Sequence, residues 1–499
     1  MIDGDKKLGW GDLLDLKRAD IVILHKTWFA FFLTFFVWFN MAPLMSTIAE
    51  ATGITFQQLK LLAICNVALT IPGRVIVGML SDKFGPRRTF TGILFVMSVP
   101  CFVFAFGASY SQMLVSRLVL SMVGTGFVVG IHMTSLWFKP RDIGFAQGVE
   151  AGLGNWGSSI AAIVMPVLAI NIFHGAWGWR YAIAASGVAM IVYGFYYFFT
   201  TTDGPPGTVY NSGRKGAAIE VSTWGSLVLA IIWTIPIIGI LALLVWTIHG
   251  MGFMETKALY ISFAVIAIVV LYQIIQILRV NIPILKKGVP EDDQYRFTDV
   301  ACLCTCYMAS FGSELGVISM LPMFYQKTFH LTPQVAGLIG SAFAFMNFFA
   351  RSLGGWISDR STSRRGVMLV YLAGISVTFG LMGMIGPSWP LPAAVAVTLV
   401  CALFVTGGAG TTYALVPLIK RRITGQITGY VGAYGSVGAT IYLTVYTFFS
   451  DAQFFFFIGG SSAAIFLFCL LFLKEPEGAF SKEYRLSSVD RKLMGLEPE

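Results

Sequence analysis

Charge is what this sequence has least of. Only 12% of its 499 residues are Asp, Glu, Lys or Arg, where soluble domains carry roughly 25%, and that shortage excludes an ordinary water-soluble surface. Histidine and cysteine are sparse as well. The five histidines are scattered and the seven cysteines sit mostly inside apolar stretches, so neither a haem nor a zinc pattern forms. Cys302, Cys304 and Cys306 resemble a cluster, but two-residue steps on a helix aim them in different directions. The alternating ten-residue segments of a β-barrel are missing too. Residues 1–26 hold five Lys/Arg and five Asp without an apolar core, which predicts no cleaved leader. No cofactor, no nucleophile constellation and no room for a soluble signalling domain argue against a membrane enzyme or sensor.

What the chain does have is apolar length. Hydrophobic residues make up 56% and aromatic ones 14%, mean hydropathy is +0.75, and runs of about 20 apolar residues, enough to cross a ~30 Å bilayer core as helix, recur throughout. The fold class expected is therefore an all-α membrane protein. Spans fall at about 27–48, 58–80, 89–107, 111–135, 144–170, 180–202, 225–248, 256–279, 299–324, 332–357, 366–386, 392–418, 424–449 and 453–473. Most Lys and Arg lie in the two termini and in every second loop, as at Lys83, Arg87, Arg88, Lys139, Arg141, Arg214, Lys215, Arg364, Arg365 and Lys420–Arg422. The positive-inside rule puts those loops and both termini in the cytoplasm of a cell-membrane protein. The net charge of +9 is then a topology signal for a lipid bilayer, with no nucleic acid implied.

The sequence also repeats itself. Gly73-Arg-Val-Ile-Val-Gly-Met-Leu-Ser-Asp-Lys-Phe-Gly-Pro-Arg-Arg88 matches Ala350-Arg-Ser-Leu-Gly-Gly-Trp-Ile-Ser-Asp-Arg-Ser-Thr-Ser-Arg-Arg365, setting Arg74 on Arg351 and Asp82 on Asp359. Gly154-Asn-Trp-Gly-Ser158 echoes Gly432-Ala-Tyr-Gly-Ser436 at nearly the same offset. Two echoes at one spacing indicate a duplicated unit. The division expected is a cytoplasmic segment 1–26, a six-helix half 27–202, an insert 203–297, a second six-helix half 298–474 and a tail 475–499. The insert carries two further apolar runs, read as membrane helices or as an amphipathic hairpin. Gly78-Met-Leu-Ser-Asp82-Lys-Phe-Gly85-Pro-Arg87-Arg88 resembles the cytoplasmic loop between helices 2 and 3 of the major facilitator superfamily. The resemblance implies two six-helix halves, and a gate in which Gly78, Asp82, Arg87, Arg88 and Asp359 clamp the cytoplasmic ends.

Five ionisable residues fall well inside the spans: Arg74, Arg117, Glu150, Glu314 and Arg351. Charge in hydrocarbon is costly, so these side chains are expected to face the bundle interior. Arg74 lies eight residues before Asp82, about 12 Å along a helix and hence near midplane depth. Arg351 is placed identically in the second repeat. Two equivalent guanidiniums at the interface of two halves, permanently charged and forked for oxyanions, imply an anionic guest. The alternative is that each pairs with a carboxylate, Glu150 or Glu314. Arg117, near the end of its span, is expected to be structural.

Gly148-Val-Glu-Ala-Gly152-Leu-Gly154-Asn155-Trp-Gly157 resembles the nitrate signature of the nitrate/nitrite porter family, and Gly429-Tyr-Val-Gly432-Ala-Tyr-Gly435-Ser-Val-Gly438 resembles its second copy. The glycines permit close helix packing, and Asn155 shares a face with Gly148 and Gly152. In that family a Phe in the fourth helix and a Tyr-x-x-x-Phe pair in the seventh flank the anion. Phe127 and the pair Tyr307–Phe311 occupy the matching positions. The resemblance thus implies a secondary transporter of nitrate and nitrite, a symporter or antiporter, with Arg74, Arg351, Asn155, Phe127, Tyr307 and Phe311 binding the anion. Protons are a possible second cargo, through Glu314 or Glu150. A porter of another small anion, such as a short carboxylate, shares the arginines but not the Gly-Asn-Trp-Gly stretch.

Overall fold

The structure is a computed structural model that describes residues 7–205, 218–446 and 448–493. Arg214 and Lys215, read above as cytoplasmic loop charges, lie outside the described residues. No strand occurs among the described residues, and thirteen of their helices are long and apolar enough to cross a membrane. They are α1 Ala19–Thr52, α2 Gln57–Phe84, α3 Pro86–Phe106, α4 Tyr110–Trp137, α5 Pro140–Ile172, α6 Gly178–Thr200, α7 Trp224–Gly250, α8 Thr256–Lys287, α9 Glu291–Phe329, α10 Val335–Arg360, α11 Arg364–Gly383, α12 Leu391–Ile419 and, after one more helix, α14 Asp451–Phe472. The intervening α13, Thr424–Tyr446, is made largely of Gly, Thr, Tyr and Val and is buried along most of its length. Its neighbours are protein, so its composition is free of the demand that hydrocarbon places on the others.

Helices overrun the apolar stretches that announced them. The first starts at Ala19 and takes in Asp20, His25 and Lys26, and α8 continues to Lys287. The i to i−4 hydrogen-bond ladder propagates past the apolar segment, because each added residue supplies a bond once the helix is nucleated. In the insert, α7 and α8 are both long, apolar helices rather than an amphipathic hairpin. The former packs against α2, α9 and α13, and α8 packs on α7, leaving side chains such as Ile261, Val265, Ile268 and Leu271 exposed.

Helices α1–α6 and α9–α14 form the two halves. The contacts between them are dominated by two equivalent pairs, α5 with α10 and α13 with α2. Lys7 and the Glu475–Asp490 stretch, near the two ends of the described residues, lie at one end of the bundle. Lys7 Nζ donates to Asp359 O at 2.6 Å, and the Glu475 carboxylate accepts from the backbone N–H groups of Arg364 and Arg365 at 2.9 Å. Arg422 pairs there with Asp490 at 2.8 Å and Asp293 at 3.1 Å.

Candidate anion site and gate

Arg74 on α2 and Arg351 on α10 are fully buried and lean over the same aromatic rings. The Arg74 guanidinium carbon lies 5.9 Å from the centre of the Phe127 ring and 5.3 Å from that of Phe311. For Arg351 the corresponding distances are 5.5 Å and 5.9 Å. Arg74 Nη1 donates to the Gly432 carbonyl of α13, and Arg351 Nη2 donates to Tyr307 Oη at 2.9 Å. Each arginine keeps two nitrogens, Nε and Nη2 on Arg74 and Nε and Nη1 on Arg351, without a hydrogen-bond partner in the protein. Neither forms an ion pair with a carboxylate among the described residues, so the carboxylate-pairing alternative fails. Two cations with four unpartnered donor nitrogens, buried beside the same rings, make a place that an anion would compensate. Arg117 behaves differently: its donors go to Asn40 Oδ1 at 3.0 Å and to Trp38 O, which ties α4 to α1.

The rings below the guanidiniums are held flat by a local break in α9. Residues Met308–Gly312 form a π-helical turn, and single π turns inside α-helices recur at functional sites. Tyr307 and Phe311 at its two ends stack at 5.0 Å with an interplanar angle of 1°. Phe127 of α4 is parallel to Tyr307 at 6.0 Å and 2°, so all three rings share one orientation. Tyr413 of α12 closes the group edge-on, 4.7 Å from Phe127 and 4.8 Å from Tyr307.

The glycines explain why the arginines reach this depth. A Cβ at Gly429 would stand 2.5 Å from Arg74 O, and one at Gly148 would stand 2.8 Å from Arg351 O. Gly152 faces Asn347 O of α10 at 3.0 Å, and Gly432 faces the Arg74 side chain at 3.2 Å. Gly435 makes room for Tyr307 and Phe311, while Gly154 and Gly157 let α5 lie against Phe31 and Phe32 of α1. Asn155, on the same helix, is buried with Nδ2 unpartnered, and it makes no hydrogen bond to either arginine or to the rings. Glu150 packs its carboxyl against Gly130 of α4, and neither of its oxygens has a partner. Glu314 accepts from Asn347 Nδ2, leaving Oε2 unpartnered. Arg351 is the cation whose charge acts on both carboxyls.

At the end of the bundle that holds the termini, the two repeated aspartates cross between halves. Asp82 of α2 accepts from the backbone N–H groups of Gly425 and Gln426 at 2.9 Å each, at the start of α13. Asp359 of α10 accepts from Gly144 at 2.9 Å and Phe145 at 2.6 Å, near the start of α5. Each carboxylate thus satisfies first-turn N–H groups and meets the positive end of the dipole of a helix in the other half. Gly78 permits the approach on one side, since a Cβ there would stand 2.3 Å from Gly425 O. Arg364 adds an ion pair to Asp359 at 2.5 Å and donates to Pro140 O at 2.6 Å. Arg87, expected in the same gate with Arg88, is placed differently from Arg364. Arg87 turns to its own half, its backbone N–H donating to Asp203 at 2.7 Å and Nη1 to Thr201 O at 3.3 Å. Among the described residues no contact of Arg88 crosses to the other half, and its charge acts on Asp203. Burial raises the Asp203 carboxyl above its ordinary range, against the pull of that N–H and of both arginine charges. The Gly85-Pro turn directs these two side chains past the end of α6, whereas Arg364 starts α11 beneath Asp359.

The chain matches the family model described as Major Facilitator Superfamily over residues 27–284 and 303–493. It is 42% identical over 470 residues to the nitrate/nitrite transporter NrtP of Nostoc punctiforme, covering 93% of this chain and 94% of that one. To the nitrate/nitrite transporter NrtP of a Picosynechococcus it is 39% identical over 501 residues, covering 92% and 94%. The chain belongs to the nitrate/nitrite porter family of the Major Facilitator Superfamily. Its fold agrees: the superfamily transporter FucP in its outward conformation superposes with a TM-score of 0.62 at 13% identity, covering 92% of this chain and all of that one. Proteins of this superfamily are transporters and not enzymes.

Two parts of this porter's site escape the sequence reading. Tyr413 ends a small-residue run, Gly407-Gly-Ala-Gly-Thr-Thr-Tyr413, that neither echo of the repeat includes. The π turn in α9 has no sequence signal. Only the spacing of Tyr307 and Phe311 at four residues places both rings where the turn brings them parallel.

Proposed function

We propose that this protein carries nitrate and nitrite into the cell across the cell membrane by alternating access, with both termini in the cytoplasm. The observation that carries the reading is the pair Arg74 and Arg351, fully buried, unpaired with any carboxylate among the described residues and converging on one set of parallel rings. A small flat oxyanion matches that geometry, because guanidinium forks address oxygens in a plane while ring faces exclude water. Phe127 and Phe311 are the rings that flank the anion. The Phe127–Tyr307 spacing of 6.0 Å is tighter than the ~7 Å that a planar guest needs, at contact distances of about 3.5 Å on each face. Asn155 supplies an amide donor from α5 when the halves close on the guest. The aspartate clamps at Asp82 and Asp359 hold the cytoplasmic end shut in the state described, and their release lets the halves rock about the bound anion.

Proton-coupled uptake is the coupling this arrangement supports. The anion offsets the charge of Arg351, and that charge acts on Glu314 and Glu150, so anion and proton occupancy are linked. Uptake and counterflow of labelled nitrate and nitrite into proteoliposomes, under set pH gradients, test both levels. Nitrate and nitrite are expected to compete for one another, with oxalate and formate leaving uptake unchanged. Glu314→Gln is expected to lose proton-driven accumulation while keeping counterflow. Accumulation in neither the wild type nor the variant, with counterflow in both, makes the protein an exchanger.

A further inference from the structure

Helix α13 has a second face that the anion reading does not use. Gly425, Gly429 and Gly432 turn one side of it to α2, against Gly78 O, Arg74 O and the Arg74 side chain. Tyr430 and Tyr434 lie roughly 150° round the helix from those glycines, at 3.6 residues per turn, and both are buried. Tyr430 Oη is 3.0 Å from Thr234 Oγ1 of the inserted helix α7. Thr234 gives its own hydrogen to Ala230 O at 2.8 Å, so the tyrosine is the donor. Tyr434 Oη donates to Trp233 O at 2.9 Å, and its ring stacks on that of Trp233 at 6.3 Å and 27°. Both partners stand in the turn before Pro236, where the missing proline N–H takes one rung from the helix ladder and loosens the turn. Below them Glu220, ahead of α7, pairs with Arg422 at 3.3 Å, just before α13 begins. The insert therefore meets this one helix at three successive levels.

We propose that Tyr430 and Tyr434 are positioning residues: their hydroxyls fasten α13 to α7, and that grip holds Arg74 in its anion-binding pose. The inference deepens the anion reading of the arginine pair and rests on it. A glycine face lets two helices come close, but it has no side chains to interlock, so it leaves their rotation free. Rotation matters at this seam. Gly432 O accepts from Arg74 Nη1, and Gly435 makes room for Tyr307 and Phe311. Both keep their aim only while α13 keeps its turn about its own axis. The tyrosines grip the helix from the side away from the glycines, where hydrogen bonds to a neighbouring helix resist that turn. In the first copy of the echo Trp156 stands where Tyr434 does, and it packs on Phe348 of α10 instead. The insert thus acts on one arginine of the pair, Arg74, and gives the two added helices a task in transport.

The test is the double variant Tyr430→Phe with Tyr434→Phe, which removes two oxygens and keeps both rings. Thr234 still donates to Ala230 O, so its hydroxyl is not left without a partner. Nitrate binding to the detergent-purified full chain is measured by calorimetry, alongside thermal unfolding without ligand. The nitrate Kd is expected to rise by about three- to thirtyfold, within the combined worth of two neutral hydrogen bonds. Leu227→Ala is the control for structural damage alone: it opens a cavity beside a buried residue of α7, about 10 Å along the helix from Thr234. It should lower the melting temperature and leave the nitrate Kd within about twofold. Unchanged nitrate affinity in the tyrosine variant, or an equal rise in Leu227→Ala, overturns the proposal. A cycle then locates the route. The tyrosine changes should raise Kd less in an Arg74→Lys background than in wild type, and by the full amount in Arg351→Lys, because only sites that act through one another are non-additive. Equal effects in the two backgrounds refute action through Arg74. Absence of nitrate binding in the wild type is a different result, which overturns the anion reading beneath.

Discussion

Replacing Arg351 by Lys separates charge from geometry at the site. Lysine keeps the positive charge at the same depth but presents a point ammonium in place of a planar fork. In the structure Arg351 spends Nη2 on Tyr307 Oη and has Nε and Nη1 free of protein partners, two atoms on different edges of the guanidinium. Lysine can replace at most one of them. Losing one charge-assisted hydrogen bond costs about 1.5–3 kcal/mol, which is roughly a 10- to 150-fold rise in Kd at 1.4 kcal/mol per decade. Nitrate uptake by proteoliposomes, with KM and maximal rate fitted separately, reads this out, and yield after membrane extraction controls for insertion. Arg117→Lys is the comparison. Its arginine is just as buried, but it is wired to Asn40 and Trp38, so its loss should lower thermal stability by about 1–3 kcal/mol without touching nitrate KM. A KM for Arg351→Lys within about twofold of wild type refutes direct binding of the anion by that arginine.

Asn155→Asp should abolish uptake, because a carboxylate added to this pocket repels the anion and neutralises an arginine, whereas Asn155→Ala should be milder; wild-type uptake by the Asp variant returns the position to packing. Gly429→Ala puts a methyl 2.5 Å from Arg74 O, and backbone cannot give way as a side chain tip does, so thermal stability should fall by about 1–3 kcal/mol and transport should fall with it. An unchanged melting temperature counts against the close approach of α13 and α2. Asp359→Asn removes the charge that Arg364 pairs with at 2.5 Å; breaking a buried pair costs about 3–5 kcal/mol, enough to open the clamped end. Labelling of a cysteine introduced at Ala414, which packs against Gly144, should then accelerate with an impermeant reagent applied from the cytoplasmic side. An unaltered labelling rate rules out Asp359 as a clamp.

The helical inventory was legible because hydrocarbon imposes a composition on anything it touches. Thirteen helices obey that rule; α13, read as a span at 424–449 with the rest, is less apolar because Gly425 to Gly438 lies among protein. The arginines, the aspartates and the Tyr307–Phe311 pair stood out as charges inside spans or as repeated or family-like motifs. What stayed hidden depended on distant packing. Nothing local says that Arg87 turns to Asp203 while its repeat mate Arg364 turns to Asp359, because the difference lies in where α6 and the C-terminal tail end. Tyr413 was one of 18 tyrosines until the fold set its oxygen beside Arg74.

The glycine stripes on α5 and α13 admitted two readings, close packing or anion contact, and the geometry makes them one. Each stripe faces the helix of the opposite half that carries an arginine, with Gly148 against the Arg351 backbone and Gly429 against the Arg74 backbone. A side chain at either position would push the arginine helix outward by about 0.7–1 Å, since a Cβ needs about 3.5 Å from a neighbouring heavy atom. That displacement would carry the guanidinium off the ring stack without altering any residue that touches the anion. The packing face therefore sets the depth of the arginine pair, and in the proposed transport cycle the same contact is what must slide when the halves rock. Glycine suits both demands: it fixes the depth of the arginines in the clamped state and offers no side chain to interlock when the aspartates at Asp82 and Asp359 let go.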